Sequence, residues 1–183
     1  MVPKVILYIA TSKDGFIADK NGGVDWLPPP PEDGAAEDFG YKDFYASVDA
    51  LVMGRTTYEQ ILTFGPWPYP GKKSFVLTHQ RELPKPTQSP DAHVEFTSLR
   101  APDLMTRLEK DGMRTVWLVG GVKVIEVFYD HGLIDEYVIT VIPKTLGEGI
   151  ALPKAILDQQ GLVELECVDI GMGMKQKKLV KKK

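Results

Sequence analysis

Apolar residues along this chain come in two rhythms. Short runs rich in β-branched residues stand at 5–10 (VILYIA), 50–54 (ALVMG), 74–78 (SFVLT), 115–120 (TVWLVG) and 136–142 (EYVITVI), and each reads as a strand. Between several of them apolar residues recur every three or four positions, which predicts helices in EDFGYKDFYASV, TTYEQILTF, APDLMTRLEKDG and VKVIEVFYDHG. Strand alternating with helix predicts an α/β fold on a largely parallel sheet. The final stretch, LVELECVDIGMGMKQKKLV, breaks the alternation. Two strand-like arms around Gly-Met-Gly predict an antiparallel hairpin on the sheet edge.

Two loops punctuate the pattern. DWLPPPPEDGAAED holds four consecutive prolines, Pro28 to Pro31, and is expected to be extended. FGPWPYPGKK mixes proline, glycine and aromatics and reads as a rigid connector with Trp67 as its anchor. Neither side of either loop carries enough elements for a core of its own, so residues 1–183 read as a single domain.

Composition narrows the classes. The chain is 43% hydrophobic and 26% charged with a formal net charge of −3, which implies no general attraction to nucleic acid. Basic residues concentrate in MKQKKLVKKK, a run from about 175 to 183 that reads as a solvated tail. The single cysteine, Cys167, excludes an internal disulfide framework, and its strand-like surroundings predict a buried thiol. The opening segment has a short apolar run without a cleavage pattern, and nothing reaches membrane-spanning length, so a cytoplasmic protein is expected.

Two junctions carry chemistry. In VMGRTTYEQ an apolar strand stops at Gly54, and Thr56-x-x-Glu59 matches a capping box that predicts a helix start at or just after Thr56. A helix start presents unpaired N–H groups and partial positive charge, which suits a phosphate oxygen. Gly54 allows close approach, Arg55 adds a planar cationic fork, and Thr56 and Thr57 add hydroxyls. The same residues also fit ordinary capping with a solvated arginine. The second junction, VWLVGGVKVIEVFYDHG, ends a strand at Gly120-Gly121 and opens a helix that Gly132 is placed to cap. It is neither G-x-G-x-x-G nor a Walker pattern, and tight strand–helix packing also selects paired glycines. After parallel strands both helix starts would emerge at one sheet edge, where open α/β folds bind ligands.

Together these residues resemble the dihydrofolate reductase superfamily, and most closely its branch containing the reductase domain of riboflavin biosynthesis. The resemblance runs from about residue 4 to residue 153 through ATSKDGFIA, VDALVMGRTTYE, VWLVGGVKVIEVF and LIDEYVITVIPKTLGEGIALP. It implies a dihydrofolate reductase-like three-layer α/β/α fold with a mixed, mostly parallel sheet closed by the C-terminal antiparallel hairpin. It also implies an NADPH site. Ala10 and Ile17 would line the nicotinamide, and Gly54, Arg55, Thr56 and Thr57 would hold phosphate. Thr78 and His79 would lie by the adenosine, Gly120, Gly121, Val122 and Lys123 would cradle the pyrophosphate, and Thr140 would complete the floor. Members of this branch often pair, so a homodimer is expected, with a small-molecule substrate and neither nucleic acid nor membrane as partner.

The substrate segment departs from both relatives. VDWLPPPPEDGAAED keeps Trp26, Leu27 and Pro28 of a folate reducer's x-P-W-x-L-P but with an insertion, and Asp38 falls where that family places its acid. YKDFYASVDA lacks the arginine with which the riboflavin branch grips a sugar phosphate. A hydride transfer to a small pterin- or pyrimidine-like heterocycle is the expected reaction, with a non-catalytic nucleotide-binding or sensor protein as the alternative. Asp14 and Asp38 head the candidate proton donors, ahead of Asp25, Glu32, Asp33, Glu37 and Asp43. Trp26, Tyr41, Phe44 and Tyr45 are candidate walls for a flat substrate, Tyr41 and Tyr45 sharing a helix face. The three histidines show no ligand spacing and no G-x-S-x-G elbow is present, so neither zinc nor a serine hydrolase is expected.

Overall fold

The continuous apolar runs become the centre of a sheet. The computed structural model describes residues 1–28, 38–80, 82–87, 89 and 91–182. Its elements follow in the order β1 (Lys4–Ser12), β2 (Phe16–Ala18), α1 (Tyr41–Ser47), β3 (Ala50–Gly54), α2 (Arg55–Leu62), β4 (Lys73–Leu77), β5 (His93–Thr97), α3 (Ala101–Lys110) and β6 (Thr115–Gly120). Then come α4 (Val122–Asp130), β7 (Glu136–Ile142), β8 (Ile150–Ala151), α5 (Lys154–Leu157), β9 (Leu162–Asp169) and β10 (Lys175–Lys181). The chain forms two compact units. Unit 1 comprises Met1–Leu7 and Val48–Asp135, and unit 2 comprises Tyr8–Ser47 and Glu136–Lys183.

Unit 1 is a parallel sheet in the order β5-β4-β3-β6-β1. Parallel strands covered on both faces need apolar side chains at every position. Accordingly Ala50, Leu51, Val52, Met53, Phe75, Val76, Val116 and Leu118 are wholly buried. On α3 the stripe Ala101, Leu104, Met105 and Leu108 follows the i, i+3, i+4, i+7 spacing, and burying each leucine contributes about 1.5–3 kcal/mol. Gly132, in the left-handed region at φ 62°, ends α4 as its position predicts, and the Leu133 N–H then bonds the Phe128 carbonyl at 2.9 Å. In the connector, buried Trp67 packs on Tyr58 and Tyr69, confirming an anchoring role.

Unit 2 continues β1 and adds β7, β10 and β9 in that order, with β10 antiparallel to both of its neighbours. A separate ribbon pairs β2 with β8. Buried Trp26, Ile142 and Met174 form a small core against Ala10, Leu27, Phe39, Leu146 and Ile170.

Several expectations change. The basic run is a strand rather than a solvated tail, because Lys175–Lys181 pairs along its length with β7 and β9, and Lys177 and Lys178 meet Glu164 and Glu136. Cys167 is exposed, since β9 is the outermost strand. The first expected helix is shorter, because Phe39 and Gly40 at φ 53° and 77° hold the chain out of helix until Tyr41. β5 alternates polar with apolar residues and escapes a search for apolar runs. Pro29, Pro30, Pro31, Glu32, Asp33 and Glu37 lie outside the described residues.

Candidate cofactor and substrate sites

Within unit 1 three parallel strands end side by side. Gly54 lies opposite Leu77, and Met53 opposite Gly120, so the junctions after β3, β4 and β6 share one rim. Both helices that start there are capped by glycine: Gly54 for α2 and Gly121 for α4. Neither glycine offers a side-chain oxygen to accept a bond from the first-turn N–H groups.

Space explains the glycines. A Cβ on Gly54 would sit 3.0 Å from Val124 Cγ2, and one on Gly121 would sit 3.1 Å from Thr57 Oγ1. The two helix starts therefore touch, and a side chain on either cap would fill the gap between them. Gly120 stands at φ +135°, a conformation only glycine adopts readily, and its peptide bond to Gly121 is cis.

The capping box does not form. The helix begins one residue earlier than predicted, at Arg55, which moves Thr56 past the capping position and hands Glu59 to Arg55 at 3.3 Å. Arg55 also reaches Gln80 at 3.4 Å, on the loop after β4. An exposed i,i+4 pair contributes only about 0.3–0.5 kcal/mol, so an anion at this rim can take Arg55 from Glu59. Thr78 joins the rim, its Oγ1 accepting the Gln80 N–H at 3.0 Å, while His79 and Lys123 are exposed. Gly54, Arg55, Thr56, Thr57, Thr78, Gly120, Gly121, Val122 and Lys123 thus gather at the ends of neighbouring strands.

The remaining candidates belong to unit 2. Ala10 packs against the Trp26 core, and Ile17 is half-buried in β2. Asp14 clamps a turn: it accepts Ser12 Oγ at 2.7 Å, Leu146 N at 3.1 Å and Gly147 N at 2.7 Å. These bonds, the Ser12 hydroxyl foremost, hold its carboxyl at about 2. Asp38 accepts the N–H groups of Lys42 at 2.9 Å and Gly40 at 3.1 Å, and the Lys42 bond chiefly lowers its pKa. Both carboxylates thus accept main-chain N–H bonds that favour the ionised form. Asp25 and Asp43 are exposed.

Aromatic residues gather on α1 and β1. Tyr8 stacks on Phe44 with centroids 4.1 Å apart and planes 17° apart, Tyr41 meets Tyr8 edge-on at 6.3 Å, and Tyr41 stacks on Tyr45 at 5.8 Å. Burial pushes Tyr41 and Tyr45 up to about 12 and raises Tyr8 as well, so all three phenols stay protonated. Gln176 Nε2 lies 3.4 Å from Tyr8 Oη and 3.2 Å from Thr140 Oγ1. Sequence reasoning missed Tyr8 and Gln176. The one available signal was an uncharged Gln in an otherwise lysine-rich run. Trp26 is buried, and its indole N–H has no partner among the described residues.

Comparison with known proteins meets this geometry. Residues 3–176 match the RibD C-terminal domain family. The chain belongs to that family. It is 39% identical over 153 residues to the uncharacterized protein YwjB of Bacillus subtilis (strain 168), covering 83% of each. Among solved structures, a putative riboflavin biosynthesis protein from Shewanella sp. PV-4 superposes with a TM-score of 0.85 at 32% identity, covering 98% of this chain and 99% of that one. A dihydrofolate reductase from Enterococcus faecalis, solved with NADP(H), superposes with a TM-score of 0.68 at 17% identity over 98% and 97% of the chains, and shows the shared fold. This RibD C-terminal domain therefore has the dihydrofolate reductase-like α/β architecture, a reductase-like fold. Among the described residues no helix is long and apolar enough to cross a membrane, and no three His, Cys, Asp or Glu are grouped to hold a metal.

Proposed function

We propose that the protein is an NADPH-dependent reductase that transfers a hydride to a small pterin- or pyrimidine-like heterocycle. The observation that supports this most is the pair of touching, glycine-capped helix starts with Arg55 at their rim. Two sets of open N–H groups, each at the positive end of a helix, suit a diphosphate, and a guanidinium beside them suits a further phosphate. In this reading Gly54, Thr56, Thr57, Gly120, Gly121, Val122 and Lys123 hold the diphosphate. Arg55, Thr78 and His79 take the adenosine end with its 2′-phosphate. Ala10, Ile17 and Thr140 serve the nicotinamide, and Trp26, Tyr41 and Tyr45 the acceptor.

NADPH, when bound, supplies the hydride. The chain's own groups position the acceptor and exclude water. In this reading Asp14 and Asp38 are the candidates that relay to the acceptor the proton completing the reduction. Asp38 also favours a protonated ring nitrogen by its charge, and Asp14 holds the turn after β1 in shape. The same reading makes the protein a cytoplasmic homodimer, and light scattering tests the dimer.

The test is calorimetry with NADPH and NADH on wild type and Arg55→Ala. Losing a charge-assisted contact of about 1.5–3 kcal/mol weakens NADPH roughly 10–150-fold and leaves NADH nearly unchanged. An unchanged NADPH/NADH ratio removes Arg55 from the site, and no binding of either coenzyme ends the proposal. A second reading, a nucleotide-binding or sensor protein without turnover, draws on the altered substrate segment, where YKDFYASVDA lacks the arginine of the riboflavin branch. Tight NADPH binding without oxidation by any pterin, flavin or quinone acceptor would favour it.

A further inference from the structure

In unit 1 the parallel neighbours β4 and β5 are joined by residues 78–92. A crossover between parallel strands is usually a helix, whose apolar stripe holds it against the sheet. This connector has no such stripe. Its described residues form neither helix nor strand, and in THQRELPKPTQSPDA the only apolar side chains besides the prolines are Leu83 and Ala92. Pro84, Pro86 and Pro90 also lack the N–H that a backbone ladder requires. Individual hydrogen bonds therefore set its course.

The first tie is at the rim. The Thr78 N–H donates to the Thr97 carbonyl at 2.9 Å, and the Gln80 N–H turns back onto Thr78 Oγ1 at 3.0 Å. Helix α2 then holds the segment twice. Arg55 and Tyr58, three residues apart and so on one side of the helix, reach Gln80 Oε1 at 3.4 Å and the Pro84 carbonyl at 2.5 Å. Further on, Ser89 Oγ accepts the Trp67 N–H at 2.9 Å.

The two helix ties differ in kind. Arg55 is exposed and its bond to Gln80 is long, so an anion at the rim can take it away. Tyr58 is wholly buried, its ring packed against Trp67 and Phe96 with centroids 5.6 and 5.3 Å away. A ring fixed in this way aims its hydroxyl at one place, and because a carbonyl only accepts, the phenol donates. When a phosphate claims Arg55, the Tyr58 bond still keeps the connector on α2.

Resting on the coenzyme reading of the rim, we propose that Tyr58 is a positioning residue for the 2′-phosphate end of the coenzyme. It acts through the connector. Its hydroxyl fixes Pro84, and four residues upstream Gln80 is thereby kept beside Arg55. Gln80 gives its Oε1 to Arg55, which leaves its NH2 to donate to the phosphate.

Calorimetry with NADPH and NADH on wild type, Tyr58→Phe, Gln80→Ala and the double variant tests this. Tyr58→Phe keeps the packed ring and returns only the carbonyl of exposed Pro84 to water, so little stability is lost. NADPH is expected to weaken about fivefold, the scale of one hydrogen bond, with NADH held within about twofold. In the Gln80→Ala background the same change is expected to move NADPH by less than about twofold, because the relay is already cut. Ser89→Ala, which loosens the far end of the segment, gives a smaller loss confined to NADPH and decides the matter where the Tyr58 variant does not fold. An unchanged NADPH/NADH ratio overturns the proposal, whether both affinities hold or both fall together as a merely structural role would have it. So does a full Tyr58 effect in the absence of Gln80. Wild type that binds neither coenzyme ends the reading of the rim itself, a result seen before any variant is made.

Discussion

The two units solve recognition with different materials. In unit 1 the candidate ligand groups are main-chain N–H groups at two helix starts, made accessible by glycines at positions 54, 120 and 121, with one exposed arginine. In unit 2 they are side chains: stacked rings and an amide held by hydroxyls. Main-chain groups bind any phosphate of suitable shape and tolerate changes in the residues around them. Side-chain constellations discriminate, and a single substitution redirects them. Under the proposed function, a common coenzyme held by backbone and a variable acceptor read by side chains divide the labour, which lets one fold serve different substrates.

The sharpest way to break this division is to fill the gap between the helix starts. Gly121→Val places a branched side chain where a Cβ alone meets Thr57 Oγ1 at 3.1 Å. NADPH affinity measured by calorimetry is expected to fall about 100-fold or more, while pterin binding stays as in wild type. A parallel loss of both would show that the rim and the aromatic cluster are not separable.

Asp14→Asn probes unit 2 through acid stability. The folded carboxyl sits at about 2, below its unfolded value of 3.8, so the folded chain binds fewer protons between these values. Its contribution is complete above pH 3.8 and is lost as pH falls toward 2. Urea midpoints taken from pH 5 to pH 2 should fall less steeply in Asp14→Asn than in wild type. Identical slopes would mean that the turn clamp has no thermodynamic weight.

Glu59→Gln sharpens the comparison most gently. Removing the partner that holds Arg55 at 3.3 Å should tighten NADPH by about twofold, in line with the small worth of such pairs, and leave pterin binding untouched. Weaker NADPH binding would mean that Glu59 orients Arg55 rather than competing for it.

What could be read in advance follows the same line. β1, β3, β4 and β6 were legible because strands buried on both faces must be apolar throughout, and Gly120-Gly121 was legible because it stops such a run. The Thr56-x-x-Glu59 pattern misled by one residue: it fits two helix starts, and the gap against Val124 selects Gly54 as cap. Cys167 misled because a strand-like pattern does not say whether the strand is central or outermost. Tyr8 and Gln176 were out of reach, since 168 positions separate them and only the finished sheet makes them neighbours.

The path of the backbone through the two units carries a last implication. It leaves the first at Leu7, returns at Val48 and departs again at Asp135. No single cut therefore yields either half intact: a fragment ending at Asp135 would drag along Tyr8–Ser47 stripped of β7, β9 and β10. Gene fission or recombination at one point cannot exchange one unit while keeping the other intact. New specificities on this scaffold have to arise by substitution within it.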